Sequence, residues 1–190
     1  IGQVIADTFE KSGHLIEAEG EVVLEDPPIK GHFDVLINGF DEFEEELFMG
    51  EVKSINDYAF DKLPEEHDFM PASQSPLMQS YEGYIIQWNT YAVLKEVERG
   101  FIIFESKNTQ RHKVFWLNSD RELFEQCVEK VGRAAPYLLQ RWLPPVPTER
   151  NPYGGDSICN RCDRRYLCEL APRDGMALDD LIKLDQQVRG

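Results

Sequence analysis

Two strand-like segments of the sequence place charged residues where they can meet. Residues 30–38 and 47–55 both have the composition of β-strands, and a short acidic connector joins them. Strand side chains point alternately to opposite faces, so Glu51 and Lys53 share one face of the second strand. A hairpin-like spacing brings Asp34, in the middle of the first strand, towards that pair. The chain is therefore expected to form a sheet in which charged side chains surround a pocket.

Hydrophobic periodicity predicts an α/β fold around these strands. Strict alternation in the first strand puts Phe33, Val35 and Ile37 on one face and His32, Asp34 and Leu36 on the other. The other predicted strands cover 20–25, 101–104 and 114–117. Helices are predicted over 1–13, closed by Gly13, and over 77–99 and 176–188. A further helix is predicted to begin at a cap formed by Ser119 or Asp120 and to end at about Ala135. Residues 56–76 show no period and are predicted to form a long mobile loop, a type of segment that often binds ligands.

Length and composition fit one folded core with an appendage. The chain has 190 residues, of which 42% are hydrophobic, enough to bury a core. We expect a core over 1–142, a connector rich in Pro and Gly over 143–158, and a cysteine-containing segment with a final helix over 159–190, packed on the core. The sequence has no apolar run of about 18 residues and no signal-peptide pattern, so we expect a cytoplasmic protein of cellular or phage origin with no membrane partner.

The net charge of −15 argues against a protein that coats nucleic acid, because phosphates repel an acidic surface. Bound divalent metal ions reverse the sign of the charge locally, so an acidic protein can still act on DNA. Lys107, Arg111 and Lys113 are the candidate nucleic-acid contacts, although a solvated charged surface also explains each of them taken singly.

The predicted helix over 77–99 adds two polar side chains on one line. Gln87 and Tyr91 are four residues apart and therefore lie one above the other on the helix surface. Considered alone, they are better explained by the edge of an amphipathic helix. Together with two carboxylates and a lysine, they suggest a site that holds a divalent cation and the water that it activates.

Four motifs in this order resemble those of the PD-(D/E)xK nuclease superfamily and, within it, the RecB-like exonucleases, including the CRISPR-associated enzymes with an iron–sulfur cluster. The motifs are Gly31-x2-Asp34, Glu51-x-Lys53, Gln87-x3-Tyr91 and Cys159-x2-Cys162-x5-Cys168. The resemblance implies a restriction-endonuclease-like core, in which a central mixed sheet is flanked by helices. It also implies a metal-dependent DNA exonuclease that acts on single-stranded or end-processed DNA in recombination, repair or phage and CRISPR DNA processing.

The resemblance assigns a role to each site residue. Asp34, Glu51 and the Val52 carbonyl would bind Mg²⁺ or Mn²⁺, with Glu21 as an additional acidic residue. Lys53 would orient the attacking water and stabilise charge on the phosphate. Gln87 and Tyr91 would position the DNA strand or support the lysine.

One position departs from the family pattern. RecB-like enzymes carry Gly-x3-His on the first helix, and here Gly2 is followed at that spacing by Ala6. The missing imidazole predicts an impaired enzyme or, as the alternative function, a catalytically silent module that binds nucleic acid or supports an assembly.

Three clustered cysteines suggest metal ligation rather than a disulfide framework. Cys159, Cys162 and Cys168 provide three of the four ligands that a [4Fe–4S] cluster or, as the less favoured choice, a zinc ion requires. The fourth cysteine, Cys127, lies among apolar residues of a predicted helix and is interpreted as a core thiol. A zinc-stabilised protein that docks a basic partner is a further alternative, but it leaves the charged pocket unexplained.

Overall fold

The computed structural model describes residues 2–40, 43, 45–143 and 176–189. The chain divides into two compact units, Ile1–Val131 and Gly132–Gly190. The cysteine motif and most of the predicted connector lie outside the described residues, so those predictions stay predictions.

Helices separate groups of one to three consecutive strands along the chain. The helices are α1 (Gly2–Ser12), α2 (Asp57–Phe60), α3 (Met78–Leu94), α4 (Arg121–Leu139) and α5 (Leu178–Arg189). The strands are β1 (Leu15–Leu24), β2 (Ile29–Asn38), β3 (Leu47–Ile55), β4 (Met70–Pro71), β5 (Arg99–Ser106), β6 (His112–Asn118), β7 (Trp142–Leu143) and β8 (Met176–Ala177).

Six strands of the first unit form one mixed sheet. Their order is β1-β2-β3-β5-β6-β4. The pairs β1–β2, β2–β3 and β5–β6 are antiparallel, whereas β3–β5 and β4–β6 are parallel. A parallel pair needs a crossover connection, and α3 lies in the connection between β3 and β5. The predicted α/β class, with a mixed sheet flanked by helices, is confirmed.

Helix α3 packs on one face of this sheet. Ile85, Trp88 and Ala92 of the helix are completely buried in the same apolar cluster as Met49 of β3. The Trp88 indole Nε1 also donates to the Met49 carbonyl oxygen at 2.9 Å. The buried hydrogen bond and the apolar contacts together fix the position of α3 relative to β3.

A second apolar cluster contains a residue of α1. Ala6 is packed there with four buried side chains of the sheet, namely Val35, Ile37, Phe48 and Phe101. Phe48 and Met49 are consecutive in β3 and belong to different clusters, as expected when a strand is buried on both faces.

The segment over 56–76 is ordered into short elements, and the predicted structureless loop is wrong. The Asn56 side chain accepts a hydrogen bond from the Ala59 amide and caps α2. Strand β4 then pairs with the far edge of the sheet, Met70 opposite Leu117. Prolines and two- to four-residue elements leave no period to detect, which is why the sequence pattern missed them.

Two helix ends also differ from the prediction. Helix α3 ends at Leu94, and the chain reverses through Glu96, whose φ is +58°. Helix α4 continues beyond Ala135 to Leu139 although it contains Pro136. Its start is as predicted, because the Asp120 carboxylate accepts a hydrogen bond from the Leu123 amide.

The second unit contains a two-stranded sheet and a helix. Strand β7 pairs with β8, with Trp142 opposite Ala177. The final helix begins at Leu178, two residues later than predicted, because residues 176–177 belong to β8. None of the helices within the described residues is long and apolar enough to cross a membrane.

Candidate active site

Asp34 lies where strands β2 and β3 separate. The ladder between these strands runs from Asn38 opposite Leu47 to Val35 opposite Gly50. Beyond Val35, the Asp34 Oδ2 atom accepts a hydrogen bond from the Val52 amide at 2.7 Å. A side-chain carboxylate thus takes the place of the backbone acceptor that a continued ladder would supply, and this contact holds Asp34 against β3.

The strict alternation predicted for the first strand is wrong at this point. Phe33 and Leu36 both pack in the cluster with α3, whereas Val35 and Ile37 pack in the cluster with α1. Phe33 and Leu36 are three residues apart, so a regular strand would put them on opposite faces. The side chains of β2 change faces close to Val35, where the pairing of β2 with β3 ends.

Glu51, Lys53 and Gln87 form one hydrogen-bonded group between β3 and α3. The Lys53 ammonium donates to the Glu51 Oε1 atom and, at 3.2 Å, to the Gln87 Oε1 atom. The Gln87 Nε2 atom donates to the same Glu51 oxygen at 3.1 Å. The structure therefore brings together the carboxylate, the ammonium group and the helix amide, as the spacing of the motifs predicts.

The second carboxylate oxygen of Glu51 has no partner. Glu51 is only 2% exposed, and its Oε2 atom makes no hydrogen bond to any of the described residues. Burial raises the pKa of the Glu51 carboxyl to about 7, the hydrogen bond from Lys53 opposes that rise, and the nearby charge of Asp34 adds to it. A buried carboxylate oxygen without a donor in the protein is a position where a bound water or a cation would supply the missing partner.

A divalent cation fits this requirement. Mg²⁺ and Mn²⁺ prefer hard oxygen ligands, and Asp34 and Glu51 are close enough for the charge of one to raise the pKa of the other. The implied third ligand, the carbonyl oxygen of Val52, belongs to the residue whose amide binds Asp34. No group of three or more His, Cys, Asp or Glu side chains suited to a metal occurs among the described residues, and the implied set contains only two such side chains.

Tyr91 contacts the first motif directly. A Cβ atom at Gly31 would lie 2.1 Å from the Tyr91 hydroxyl oxygen and 2.4 Å from Cζ of the same ring. Only a glycine leaves room for Tyr91 at this position. The glycine of the first motif and the tyrosine of the third thus form one contact, which neither motif predicts when it is considered separately.

Glu21 is not brought to this group of side chains. Its carboxylate pairs with Lys30 at 2.6 Å and lies 3.4 Å from His32, all three on exposed side chains. Its neighbour Val22 faces the α3 side of the sheet, so Glu21 points to the opposite face. The hydrogen bond from Lys30 lowers the pKa of Glu21.

Two of the three predicted nucleic-acid contacts bind the protein itself. Lys113 donates to the carbonyl oxygens of Leu63 and Pro64 at 3.3 and 3.0 Å. Arg111 pairs with Asp61 at 2.7 Å. Both cations thereby attach the segment after α2 to the sheet, while Lys107 is exposed in the turn between β5 and β6.

Neither Ala6 nor Cys127 belongs to the hydrogen-bonded group around Glu51. Ala6 is 4% exposed in the apolar cluster with α1, whereas Met49, which shares a strand face with Glu51, belongs to the cluster with α3. Cys127 is half-buried on α4, and its Sγ atom lies 3.8 Å from the Thr90 hydroxyl. Cys159, Cys162 and Cys168 lie outside the described residues.

One neighbour of Lys53 was missed by sequence reasoning. The Lys53 Nζ atom lies 4.9 Å from the centre of the Tyr84 ring. Tyr84 comes three residues before Gln87, so helical periodicity alone places it on the same face of α3. Tyr84 belongs to none of the four motifs, so no role beside the lysine was predicted for it.

Comparisons with known proteins bear on the fold. No family model matches the chain, and no curated protein matches it significantly. The crystal structure of SSO0001 is similar, with a TM-score of 0.51 and 14% sequence identity over 88% of this chain and 65% of that chain. The chain therefore spans about 65% of the length of SSO0001. At this identity the similarity shows a shared α/β fold.

Proposed function

We propose that the chain is a metal-dependent deoxyribonuclease of the PD-(D/E)xK type, with a restriction-endonuclease-like core. The observation that carries the proposal is the buried Oε2 atom of Glu51, which has no partner within the described part of the chain. It lies in a group that also contains Asp34, Lys53 and Gln87. A purely structural ion pair would not require an unpaired carboxylate oxygen at its centre.

Asp34, Glu51 and the Val52 carbonyl would hold Mg²⁺ or Mn²⁺ in this proposal. When bound, the cation lowers the pKa of a coordinated water and offsets the charge of the phosphate. The protein's own contribution is to fix the charged groups in place. Gln87 binds both Glu51 and Lys53, so the ammonium is held beside the carboxylate, where it can stabilise negative charge that develops on a phosphate oxygen.

The proposed substrate is DNA that is single-stranded or has free ends, cleaved as an exonuclease does. The motif resemblance supports this choice, as do the processes in which such enzymes act, namely recombination, repair and phage or CRISPR DNA processing. The net charge of −15 adds a physical condition, since a polyanion approaches this protein only where bound cations and Lys53 outweigh the acidic surface.

Cleavage of labelled strands tests the proposal. Single- and double-stranded DNA labelled at the 5′ or the 3′ end is incubated with Mg²⁺ or Mn²⁺, with the wild-type protein and with the Glu51→Gln and Asp34→Asn variants. We expect both substitutions to reduce the cleavage rate by about 100-fold or more, because each removes a charge that binds the cation.

Glu21→Gln is the matched control for this assay. It removes a carboxylate of the same type from the opposite face of the sheet, so the cleavage rate should remain that of the wild type. Full activity of Glu51→Gln would exclude the proposed site.

A catalytically silent module that binds nucleic acid or supports an assembly is the second candidate. Its support is the departure of Ala6 from the Gly-x3-His pattern of the resembling enzymes, although Ala6 packs in the cluster on the other face of the sheet from Glu51. Titration of a labelled strand with protein in Mn²⁺ separates the two functions. Binding without cleavage at saturating protein would support the silent module, and cleavage would exclude it.

We further propose that Cys159, Cys162 and Cys168 ligate a [4Fe–4S] cluster, with zinc as the alternative. Their spacing and the family resemblance support this assignment. Such a cluster would cross-link the C-terminal segment and would have a structural role.

A further inference from the structure

We infer that Tyr84 is a positioning residue that holds the Lys53 ammonium against Glu51 and Gln87. The inference deepens the proposed function, since it concerns the lysine of the same site. Lys53 has a long flexible side chain, and holding it in one place costs conformational entropy. Its side chain is only 17% exposed and has neighbours on several sides.

Two of the residues that contact Lys53 lie in one turn of α3. The ammonium donates to Gln87 at 3.2 Å and lies 4.9 Å from the centre of the Tyr84 ring. These two residues are three apart in the helix and therefore neighbours on its surface. The attraction of a cation to an aromatic ring is strongest where water is largely excluded, as it is here.

The Tyr84 ring is itself fixed by other aromatic side chains. It stacks on Tyr81, with ring centres 6.0 Å apart and planes inclined by 15°, and its centre lies 6.1 Å from that of Phe104. The Tyr81 hydroxyl donates to the Ala59 carbonyl oxygen at 3.3 Å. Tyr84 therefore presents its ring to Lys53 from a packed position.

An aromatic ring suits this place for an electrostatic reason. Burial is the main cause of the raised pKa of Glu51 and the charge of Asp34 adds to it, so a third carboxylate beside Lys53 would increase the repulsion further. The neutral ring attracts the ammonium without adding charge, so the positive charge of Lys53 remains available to a phosphate. Tyr84 thus holds Lys53 in position without neutralising it.

NMR spectra of protein labelled with ¹³C at the lysine Cε test the inference without requiring activity. A ring close to Lys53 shifts its Hε signals upfield, and the Lys53→Arg variant identifies those signals by their absence. The shift should be lost in Tyr84→Leu and kept in Tyr84→Phe, which retains the ring. In the cleavage assay, kcat should fall about tenfold in Tyr84→Leu with KM unchanged, and Tyr84→Phe should restore it.

Tyr58→Leu is the matched control. Tyr58 is 71% exposed and its ring centre lies 4.0 Å from the Lys62 ammonium, so the same substitution there removes a lysine–tyrosine contact outside the site. It should change neither the Lys53 signals nor kcat.

Two results would overturn the inference: Lys53 signals in the wild type without an upfield shift, or a Tyr84→Leu variant with unchanged signals or unchanged kcat. If Tyr84→Leu does not fold, the presence or absence of the upfield shift in the wild-type spectrum still tests the inference. Absence of DNA cleavage by the wild type would refute the proposed function alone, because the spectra still decide whether Tyr84 holds Lys53.

Discussion

At the scale of single residues, Gly31 shows how a motif residue can be essential without carrying a functional group. Gly31→Ala would place a methyl group on the Tyr91 ring, so the Tyr91 side chain, α3 or β2 must shift. We expect the free energy of unfolding to fall by about 1–3 kcal/mol, which urea denaturation measures.

Gly83→Ala is the control for this prediction. Gly83 lies in α3 with nothing within 4 Å of an added Cβ atom. That substitution should raise stability by about 0.5–1 kcal/mol, as alanine does in an exposed helix. Equal effects of the two substitutions would contradict the close contact between Gly31 and Tyr91.

Glu51 should make stability depend on pH. Its pKa rises from an ordinary 4.5 to about 7 in the folded protein, so the folded state binds more protons than the unfolded state between these values. The free energy of unfolding therefore falls as pH rises from 4.5 towards 7, by on the order of 3 kcal/mol, and stays lower above that range. Urea denaturation at pH 5 and pH 8 in a chelator measures the difference.

The Glu51→Gln variant isolates this contribution. It cannot ionise, so the change in its stability between pH 5 and pH 8 should be smaller than that of the wild type, and Mg²⁺ at pH 8 should stabilise the wild type more than the variant. The assignment fails when both proteins show the same dependence on pH.

The residues around Glu51 were predictable to different degrees. The two-residue period of one strand predicts that Glu51 and Lys53 share a face. The family resemblance predicted that Gln87 supports the lysine. Glu21 was assigned by resemblance alone, and its strand turns it to the other face. The contact between Gly31 and Tyr91 joins residues 60 positions apart in the sequence, and only the packed structure shows it.

At the scale of elements, strand β3 was predicted with its observed bounds, whereas the end of α3 was not. Residues 95–98 have good helix propensity, but Val97 is 2% exposed and its amide donates to the Ala92 carbonyl oxygen at 2.8 Å. Burial of Val97 against the core favours a reversal of the chain over a further helical turn. Tertiary packing of this kind overrides local propensity and leaves no periodic pattern.

The start of α4 gives a prediction for an element. Asp120 caps the helix and also exchanges two hydrogen bonds with Asn89, at 2.7 and 2.9 Å, which connect α4 to α3. Those two bonds use the backbone of Asp120 and survive truncation of its side chain. The Asp120 carboxylate also accepts a hydrogen bond from the Ser73 hydroxyl. Asp120→Ala should therefore lower the free energy of unfolding by about 1–2 kcal/mol through loss of the cap and of the bond to Ser73.

Ser119→Ala is the comparison, since the sequence pattern left Ser119 and Asp120 open as caps. Thermal denaturation should show a loss of stability for Asp120→Ala only, with Asp120→Asn close to the wild type. A larger loss for Ser119→Ala would assign the cap to the other residue.

At the scale of the whole molecule, an acidic protein surrounds a site that is proposed to bind a polyanion. The net charge is −15, and two of the three predicted DNA-contacting cations are engaged with the segment after α2. Among the described residues considered for DNA contact, Lys53 and the exposed Lys107 remain, and bound metal ions would add to their attraction, which links substrate binding to metal binding. A chelator should weaken DNA binding as well as abolish cleavage.

The cysteines give the last prediction. A cluster ligated by Cys159, Cys162 and Cys168 would bind the folded chain in preference to the unfolded one, so its loss should lower the melting temperature. Anaerobically purified protein should contain iron and be coloured, and Cys162→Ser should reduce both the iron content and the melting temperature. Cys127→Ser is the control, because Cys127 lies half-buried on α4 beside Thr90 and should keep the iron. Wild-type protein with zinc instead of iron would identify the alternative metal, and protein without either metal would leave the three cysteines as free thiols.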